Sequence, residues 1–121
     1  MPSTLIVYAT RHGCTAACAA ELAGQLDGQV TLHDLKNDGR PDLAGHDTVL
    51  VGGSIHAGGM QKSVRKLLAD NESLLLGKRL GLFLCCGYEG EAAKKQFEQN
   101  FPEKLREHAV ALARVAGERH E

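Results

Sequence analysis

The chain has 121 residues, with 14 lysine and arginine residues against 15 aspartate and glutamate residues, so its formal net charge is −1. With 43% apolar and 24% charged residues it has the composition of one globular domain over residues 1–121, which excludes fibrous and disordered classes. The balanced charge gives no positive field that would attract nucleic acid, and no stretch approaches the roughly 20 apolar residues that span a bilayer. We therefore expect neither nucleic-acid binding nor membrane insertion.

The first half of the chain alternates short apolar runs with a segment of helical period. Leu5–Ala9 is predicted as a buried strand, Thr10–Thr15 as a loop and Thr15–Leu26 as an alanine-rich helix. Val30–Leu35 alternates weakly and is predicted as the second strand. The polar stretch Lys36–Gly45 is predicted as a loop. This order is typical of β-α-β units with a parallel sheet.

The same alternation continues in the second half. Thr48–Val51 is predicted as the third strand and Gly52–Gly59 as a glycine-rich loop. A helix is predicted over Lys62–Leu76. The run Leu80–Cys85 is almost continuously apolar, which indicates a fourth strand buried on both faces in the middle of a parallel sheet. Cys86–Gly90 is predicted as the loop that follows it.

The C-terminal segment fits two patterns. A helix is predicted over Glu91–Gln99, and Pro102 is a favourable first residue for another, with helical spacing from Leu105 to Ala116. Val110–Val115 also alternates as a short strand. Because the β-α rhythm requires a strand at this point, we predict the fifth strand there.

The cysteines bear on location and metal binding. Cys14, Cys18, Cys85 and Cys86 form an even set that would suggest disulfides in a small secreted chain. No basic and cleavable apolar segment precedes Leu5, so we expect a cytoplasmic protein whose thiols stay reduced. The spacing of Cys14 and Cys18 fits no common zinc pattern, and no metal site is expected.

Three glycine-bearing loops follow the first, third and fourth predicted strands. They meet at the carboxyl edge of a parallel sheet, where ligands of such sheets bind. Thr10–Thr15 opens onto a helix N-terminus, whose free N–H groups and dipole favour an anion, and Gly13 lets the backbone approach it closely. The segment matches neither the dinucleotide nor the triphosphate glycine motif, which favours a mononucleotide phosphate. A tight strand-to-helix turn capped by threonine is the alternative.

A resemblance to a known family rests on Thr4–Thr15, Val51–Gly58 and Gly81–Gly90. In this order and spacing the three segments resemble the flavodoxin-domain proteins, and more narrowly the bacterial branch related to menaquinone-dependent protoporphyrinogen dehydrogenase. The resemblance implies an α/β fold with a flavodoxin-like, doubly wound parallel sheet in strand order 2-1-3-4-5. It also implies a noncovalently bound FMN.

The same resemblance assigns three groups of cofactor-binding residues and no catalytic residue. The FMN phosphate would be held by Thr10, Arg11, His12, Gly13, Cys14 and Thr15. One side of the flavin ring would be bordered by Ser54, Ile55, His56, Ala57 and Gly58, and the other by Cys86, Gly87, Tyr88 and Glu89. Tyr88 is the best stacking candidate. Gly58 matches the glycine whose peptide reorients near flavin N5 in flavodoxins.

Three functions remain open for such a domain. The leading hypothesis is an FMN-binding electron-transfer protein whose partner is a redox protein or a quinone. An oxidoreductase that passes electrons from a porphyrinogen to a quinone is the alternative, although the sequence shows no extra loop or basic patch near Tyr88 for that substrate. A flavodoxin fold used only for interaction is the third.

Two other classes with this topology are excluded by residues they need. A phospho-receiver domain requires an aspartate at the ends of the central strands, where this chain has Thr10 and Ser54. A low-molecular-weight tyrosine phosphatase requires arginine six residues after its cysteine, and here Ala20 follows Cys14 at that spacing.

The C-terminal end of the chain leads to an expectation about its oligomeric state. The related dehydrogenases have a terminal helix, and this chain stops at Glu121, just past the predicted fifth strand. A doubly wound sheet needs helices on both faces, and leaving ~400 Å² of apolar surface in water would cost on the order of 10 kcal/mol at ~25 cal/mol/Å². We therefore expect a homo-oligomer that covers this face, or a C-terminally shortened chain.

Overall fold

The computed structural model describes residues 3–9, 14–26, 28–36, 41–56, 59–85, 95, 98–109 and 111–115. For a few of these only the backbone is described: Cys14, Ile55, His56, Gly59, Cys85 and residues 111–115.

A six-stranded sheet runs through the described part of the chain. Its strands are β1 (Ser3–Tyr8), β2 (Gln29–Asp34), β3 (Thr48–His56), β4 (Gly59–Met60), β5 (Arg79–Cys85) and β6 (Ala111–Val115). Apart from β4, which pairs antiparallel with the end of β3, the strands are parallel and stand in the order β2-β1-β3-β5-β6. With the two-residue β4 left aside, this is the predicted order 2-1-3-4-5.

Helices cover both faces of the sheet. The helices with described bounds are α1 (Cys14–Gln25), α2 (Lys62–Asp70), α3 (Glu72–Leu76) and α4 (Glu103–His108). Successive residues of a strand point to opposite faces, so Ile6 meets Ala19 of α1, while Leu5 lies in the larger core beneath α2, α3 and α4. The larger core includes Val64 of α2 and Leu105 of α4.

Two predicted boundaries are wrong. β3 was predicted to end at Val51 and continues to His56, because residues 59 and 60 fold back and pair with its end. The predicted helix Lys62–Leu76 is two helices that meet at Asn71. The side-chain amide of Asn71 donates to the carbonyl of Leu67 at 2.9 Å, which also accepts the backbone N–H of Asn71 at 3.1 Å.

The C-terminal segment contains a helix followed by a strand, so each of the two predicted patterns is present in part of it. α4 begins directly after Pro102, and the predicted fifth strand is present as β6. Of the predicted helix Glu91–Gln99, residues 91–94, 96 and 97 lie outside the described residues, whereas Lys95 and residues 98–100 are helical. The described residues end with β6 at Val115, so the predicted absence of a helix after the fifth strand lies outside the described residues.

Candidate functional site

The carboxyl ends of β1, β3 and β5 lie side by side at one edge of the sheet. Tyr8 pairs with Gly52, and Gly52 pairs with Phe83 on the next strand. One step further, the backbone N–H of Ala9 donates to the carbonyl of Gly52 at 3.3 Å. The strands β1, β3 and β5 therefore end at one edge, as predicted, although the segment Gly52–Gly59, predicted as a loop, is largely strand.

Thr15 has an unusual environment at this edge. It is the second residue of α1, a helix of 12 residues that follows β1. The Thr15 side chain is fully buried, and its Oγ1 atom has no hydrogen-bond partner in the part of the chain that the structure describes. A buried hydroxyl without a partner costs free energy, so such groups in folded proteins are normally satisfied. The first turn of α1 also contains no acidic residue that would occupy its positive end.

Side chains from neighbouring segments approach the β3 backbone closely at Gly52 and Gly53. A Cβ on Gly52 would overlap the ring of Phe83 on β5. A Cβ on Gly53 would lie 2.7 Å from Cγ of Met60 and 2.9 Å from Oε1 of Gln61, both closer than real Cβ contacts. The absence of side chains here lets Phe83 fill one face and lets Gln61 approach the strand from the β4 side.

Gln61 binds the end of β3 through both ends of its amide. Its Oε1 atom accepts a hydrogen bond from the backbone N–H of Ser54 at 2.9 Å, and its Nε2 donates to Oγ of Ser54 at 2.8 Å. Ser54 is 7% exposed, so both bonds are partly shielded from water. They join the strand to the residue that precedes α2.

Asn100 adds a third bond from a distant part of the chain. Its Oδ1 accepts the backbone N–H of Met60 at 3.0 Å, across a separation of 40 residues. Met60 is 3% exposed. The hairpin of β3 and β4 is thus held by side chains on either side of it.

Sequence reasoning missed Gln61 and Asn100. The sequence held one local indication for Gln61: a polar residue between a glycine-rich segment and an amphipathic helix can bind nearby backbone groups with its side chain. Asn100 had none, since its partner lies 40 residues away.

The predicted site residues divide into three groups. Thr15 and Ser54 are described with their side chains, and both lie at the carboxyl edge of the sheet. Cys14, Ile55 and His56 are described by their backbone, as the start of α1 and the end of β3. The others lie outside the described residues: Thr10, Arg11, His12, Gly13, Ala57, Gly58, Cys86, Gly87, Tyr88 and Glu89.

The described ranges contain no group of three or more His, Cys, Asp or Glu side chains that could hold a metal ion. Nor does any helix in those ranges have the length and apolar character needed to cross a bilayer.

The fold defines a doubly wound α/β protein, a class whose ligands bind at the carboxyl ends of the parallel strands. A family model described as "Flavodoxin domain" matches residues 5–120. The chain therefore belongs to the flavodoxin-domain family. No curated protein matches the sequence significantly.

Solved structures share the fold at low sequence identity. A short-chain flavodoxin associated with a non-canonical PDU bacterial microcompartment is 20% identical, with a TM-score of 0.70, covering 100% of this chain and 88% of that one. A flavoprotein from Lactobacillus acidophilus in complex with FMN is 13% identical, with a TM-score of 0.64 and coverage of 94% and 93%.

The fold also occurs as one part of a larger chain. The flavodiiron core of Flv1 from Synechocystis is 17% identical, with a TM-score of 0.66. The match covers 94% of this chain and 30% of the flavodiiron chain, so this chain spans less than a third of that relative.

Proposed function

We propose that the chain binds FMN noncovalently at the carboxyl edge of its sheet and carries electrons between redox partners. Its membership of the flavodoxin-domain family supports this proposal, and the Lactobacillus acidophilus flavoprotein of the same fold is described in complex with FMN. The observation that carries the proposal is the buried Thr15 hydroxyl at the start of α1, for which the described residues offer no hydrogen-bond partner.

A phosphate ester suits the position of Thr15 for electrostatic reasons. The first four N–H groups of a helix have no partner within the helix, and the helix dipole adds positive potential at the same end. The hydroxyl of Thr15 would donate to a phosphate oxygen and would thereby gain the partner it needs. In the proposal the preceding residues of the loop, Thr10, Arg11, His12, Gly13 and Cys14, complete the phosphate site.

The flavin ring belongs, in this proposal, at the ends of β3 and β5. When bound, FMN supplies the redox chemistry, because its ring system takes up and releases electrons. The protein's part is to anchor the phosphate, to shield part of the ring from water and to aim backbone groups at its polar edge. The proposed ring-bordering residues are Ser54, Ile55, His56, Ala57 and Gly58 on one side and Cys86, Gly87, Tyr88 and Glu89 on the other, with Tyr88 as the stacking residue.

Titration of the purified protein with FMN, with riboflavin as the matched ligand that lacks the phosphate, tests the proposal. We expect saturable one-to-one binding of FMN, measured by calorimetry and by quenching of flavin fluorescence. Riboflavin should bind at least about tenfold more weakly, because charge-assisted hydrogen bonds to the phosphate exceed the 1.4 kcal/mol that a factor of ten requires. Equal affinities would contradict a phosphate site at α1. Absence of binding by either flavin would favour the third function, a fold used only for interaction.

A narrower proposal follows from the three motifs that resemble the protoporphyrinogen-dehydrogenase branch. In this proposal the FMN-loaded protein oxidises a porphyrinogen and reduces a quinone. Anaerobic mixing with a porphyrinogen and a soluble menaquinone analogue, followed by porphyrin fluorescence, tests it. Multiple turnovers would support the enzyme, whereas flavin that is reduced by a chemical donor and reoxidised by electron-carrier proteins alone would support the carrier.

We also propose that a second copy of the chain packs on the α1 face of the sheet. Leu32 pairs in register with Ile6, which places it on this face, and it is 40% exposed. Leu26, directly after α1, is 39% exposed. Sedimentation should find a dimer that Leu32→Thr dissociates and that Leu74→Gln, a change at an exposed leucine on α3, leaves intact. A monomeric wild-type protein would overturn this proposal.

The proposed location is the cytoplasm. Cys18 packs beside Ile6 and Ala19 on the α1 face, and a reducing compartment keeps cysteine thiols reduced.

A further inference from the structure

The hairpin of β3 and β4 is too short to be fixed by its own pairing. Among the described residues two pairs join the strands, Ile55 with Met60 and His56 with Gly59. A two-stranded hairpin is at best marginally stable in water even when it is longer than this. Its conformation therefore depends on contacts from outside the two strands.

Gln61 and Asn100 supply those contacts at the two ends of the hairpin base. Gln61 makes two hydrogen bonds to Ser54 on the β3 side, and Asn100 makes one to the backbone of Met60 on the β4 side. All three bonds are partly buried, and an unpaired backbone N–H in such a place costs more than an exposed one. Gly53 leaves the room that the Gln61 amide needs.

We propose that Gln61 and Asn100 are positioning residues for the bound flavin: they hold the β3–β4 hairpin, and with it the backbone of Ile55 and His56, in one conformation beside the ring. This inference rests on the proposed FMN binding. Neither residue belongs to the loops assigned to cofactor contact. Each acts through the hairpin backbone, Gln61 through Ser54 and Asn100 through Met60.

The physical consequence concerns the redox balance of the flavin. Backbone dipoles near the ring stabilise the oxidised and the reduced forms to different extents, and a preorganised dipole acts without the cost of reorientation. A hairpin that can shift would adapt its backbone differently to each form. Loss of either side chain should therefore change the relative affinity of the protein for oxidised and reduced FMN, in addition to the affinity itself.

The test uses the FMN-loaded protein and three uncharged substitutions. Gln61→Met and Asn100→Leu remove the hydrogen bonds while keeping the approximate size of each side chain. Gln25→Met makes the same chemical change at an exposed position near the end of α1 and serves as the matched control. The FMN dissociation constant, the two midpoint potentials of bound FMN and the thermal unfolding of each protein are measured. Loss of stability alone would leave the potentials of the bound flavin unchanged.

We expect both hairpin variants to bind oxidised FMN about tenfold more weakly, a factor that corresponds to 1.4 kcal/mol. Both should shift the midpoint potentials in the same direction, and Gln25→Met should match the wild type. If the hairpin variants keep wild-type potentials while the wild type binds FMN, the positioning role is wrong and the proposed function stands. If the wild type binds no FMN, the proposed function is wrong and the positioning role fails with it. Asn100→Leu provides the comparison independently should Gln61→Met not fold.

Discussion

The ring of Phe83 on β5 lies across Gly52 on β3, in the space that a Cβ at Gly52 would occupy. Phe83 is fully buried and closes the α1 side of the sheet together with Ile6 and Ala19. A single missing methyl group thus allows the largest side chain of this small core to lie flat over the neighbouring strand.

Gly52→Ala should therefore destabilise the protein. The added methyl must displace a buried aromatic ring, and overpacking of this kind costs about 1–3 kcal/mol. Denaturant unfolding of the purified protein measures the effect. The double variant Gly52→Ala/Phe83→Leu should lose less stability than the sum of the single variants, because the smaller side chain relieves the overlap.

Gly24→Ala is the control for this change. Gly24 lies within α1, and nothing stands within 4 Å of the place where its Cβ would be. Alanine is favoured over glycine inside a helix by roughly 0.5–1 kcal/mol, so this variant should be more stable than the wild type. A Gly52→Ala protein as stable as Gly24→Ala would contradict the packing described for Phe83.

Gly53→Ala tests the approach of Gln61 to β3. The new Cβ would lie 2.9 Å from Oε1 of Gln61, so the amide must move away from Ser54. We expect a loss of about 1–3 kcal/mol in stability and faster hydrogen exchange at the Ser54 amide, measured by NMR. Gly77→Ala, at an exposed site where the nearest atom is 3.5 Å from the new Cβ, should leave that exchange rate unchanged. Unaltered protection of the Ser54 amide in Gly53→Ala would contradict the hydrogen bond between Ser54 and Gln61.

Thr15→Val should separate stability from cofactor binding. The substitution replaces a buried, unpartnered hydroxyl by a methyl group of nearly the same size. The protein without FMN should therefore be at least as stable as the wild type, because removing an unsatisfied polar group recovers part of its desolvation cost. FMN affinity should fall about tenfold or more, since a hydrogen bond to a charged group contributes about 1.5–3 kcal/mol.

The matched change for Thr15→Val is Thr31→Val, at an exposed threonine on β2. It should leave the FMN affinity at the wild-type value. Parallel thermal unfolding and calorimetric titration of the three proteins measure both effects. A Thr15→Val protein with normal FMN affinity would place the phosphate elsewhere.

Lys78 joins the segment before β5 to the loop before β3. Its Nζ donates to the carbonyl of His46 at 2.7 Å and to that of Ala44 at 3.1 Å. Lys78→Met should lower the free energy of unfolding by about 1–3 kcal/mol, because both carbonyls lose a charged donor. Lys104→Met, at an exposed position on α4, should change it by less than about 0.5 kcal/mol. Equal effects in a denaturant titration would show that these bonds add no stability.

The parts of the fold that sequence predicts are those set by local pattern. Leu80–Leu84 is apolar apart from Gly81, and the structure buries it in the middle of the sheet. Gly28, between the predicted first helix and second strand, has a φ of 85°, which few other residues adopt. The β-α rhythm predicted a parallel sheet, and the strand order was implied by the resemblance to the flavodoxin-domain proteins.

The parts that sequence does not predict depend on contacts between distant residues. Two adjacent glycines normally weaken a strand, so β3 was expected to end before them. It continues because Phe83 and Met60 fill the space above and below these residues. The break at Asn71 depends on one side-chain hydrogen bond, and the role of Asn100 depends on a partner 40 residues away. Periodicity carries no information about either.

The bond between Met60 and Asn100 also constrains the order of folding. During synthesis the hairpin segment leaves the ribosome well before Asn100, so this bond cannot form until the later segment has emerged and closed a long loop. Strands β1, β3 and β5 can pair earlier, whereas the β3–β4 hairpin gains its bond to Asn100 late. A nascent chain would thus have most of its sheet before it acquires full competence to hold a flavin.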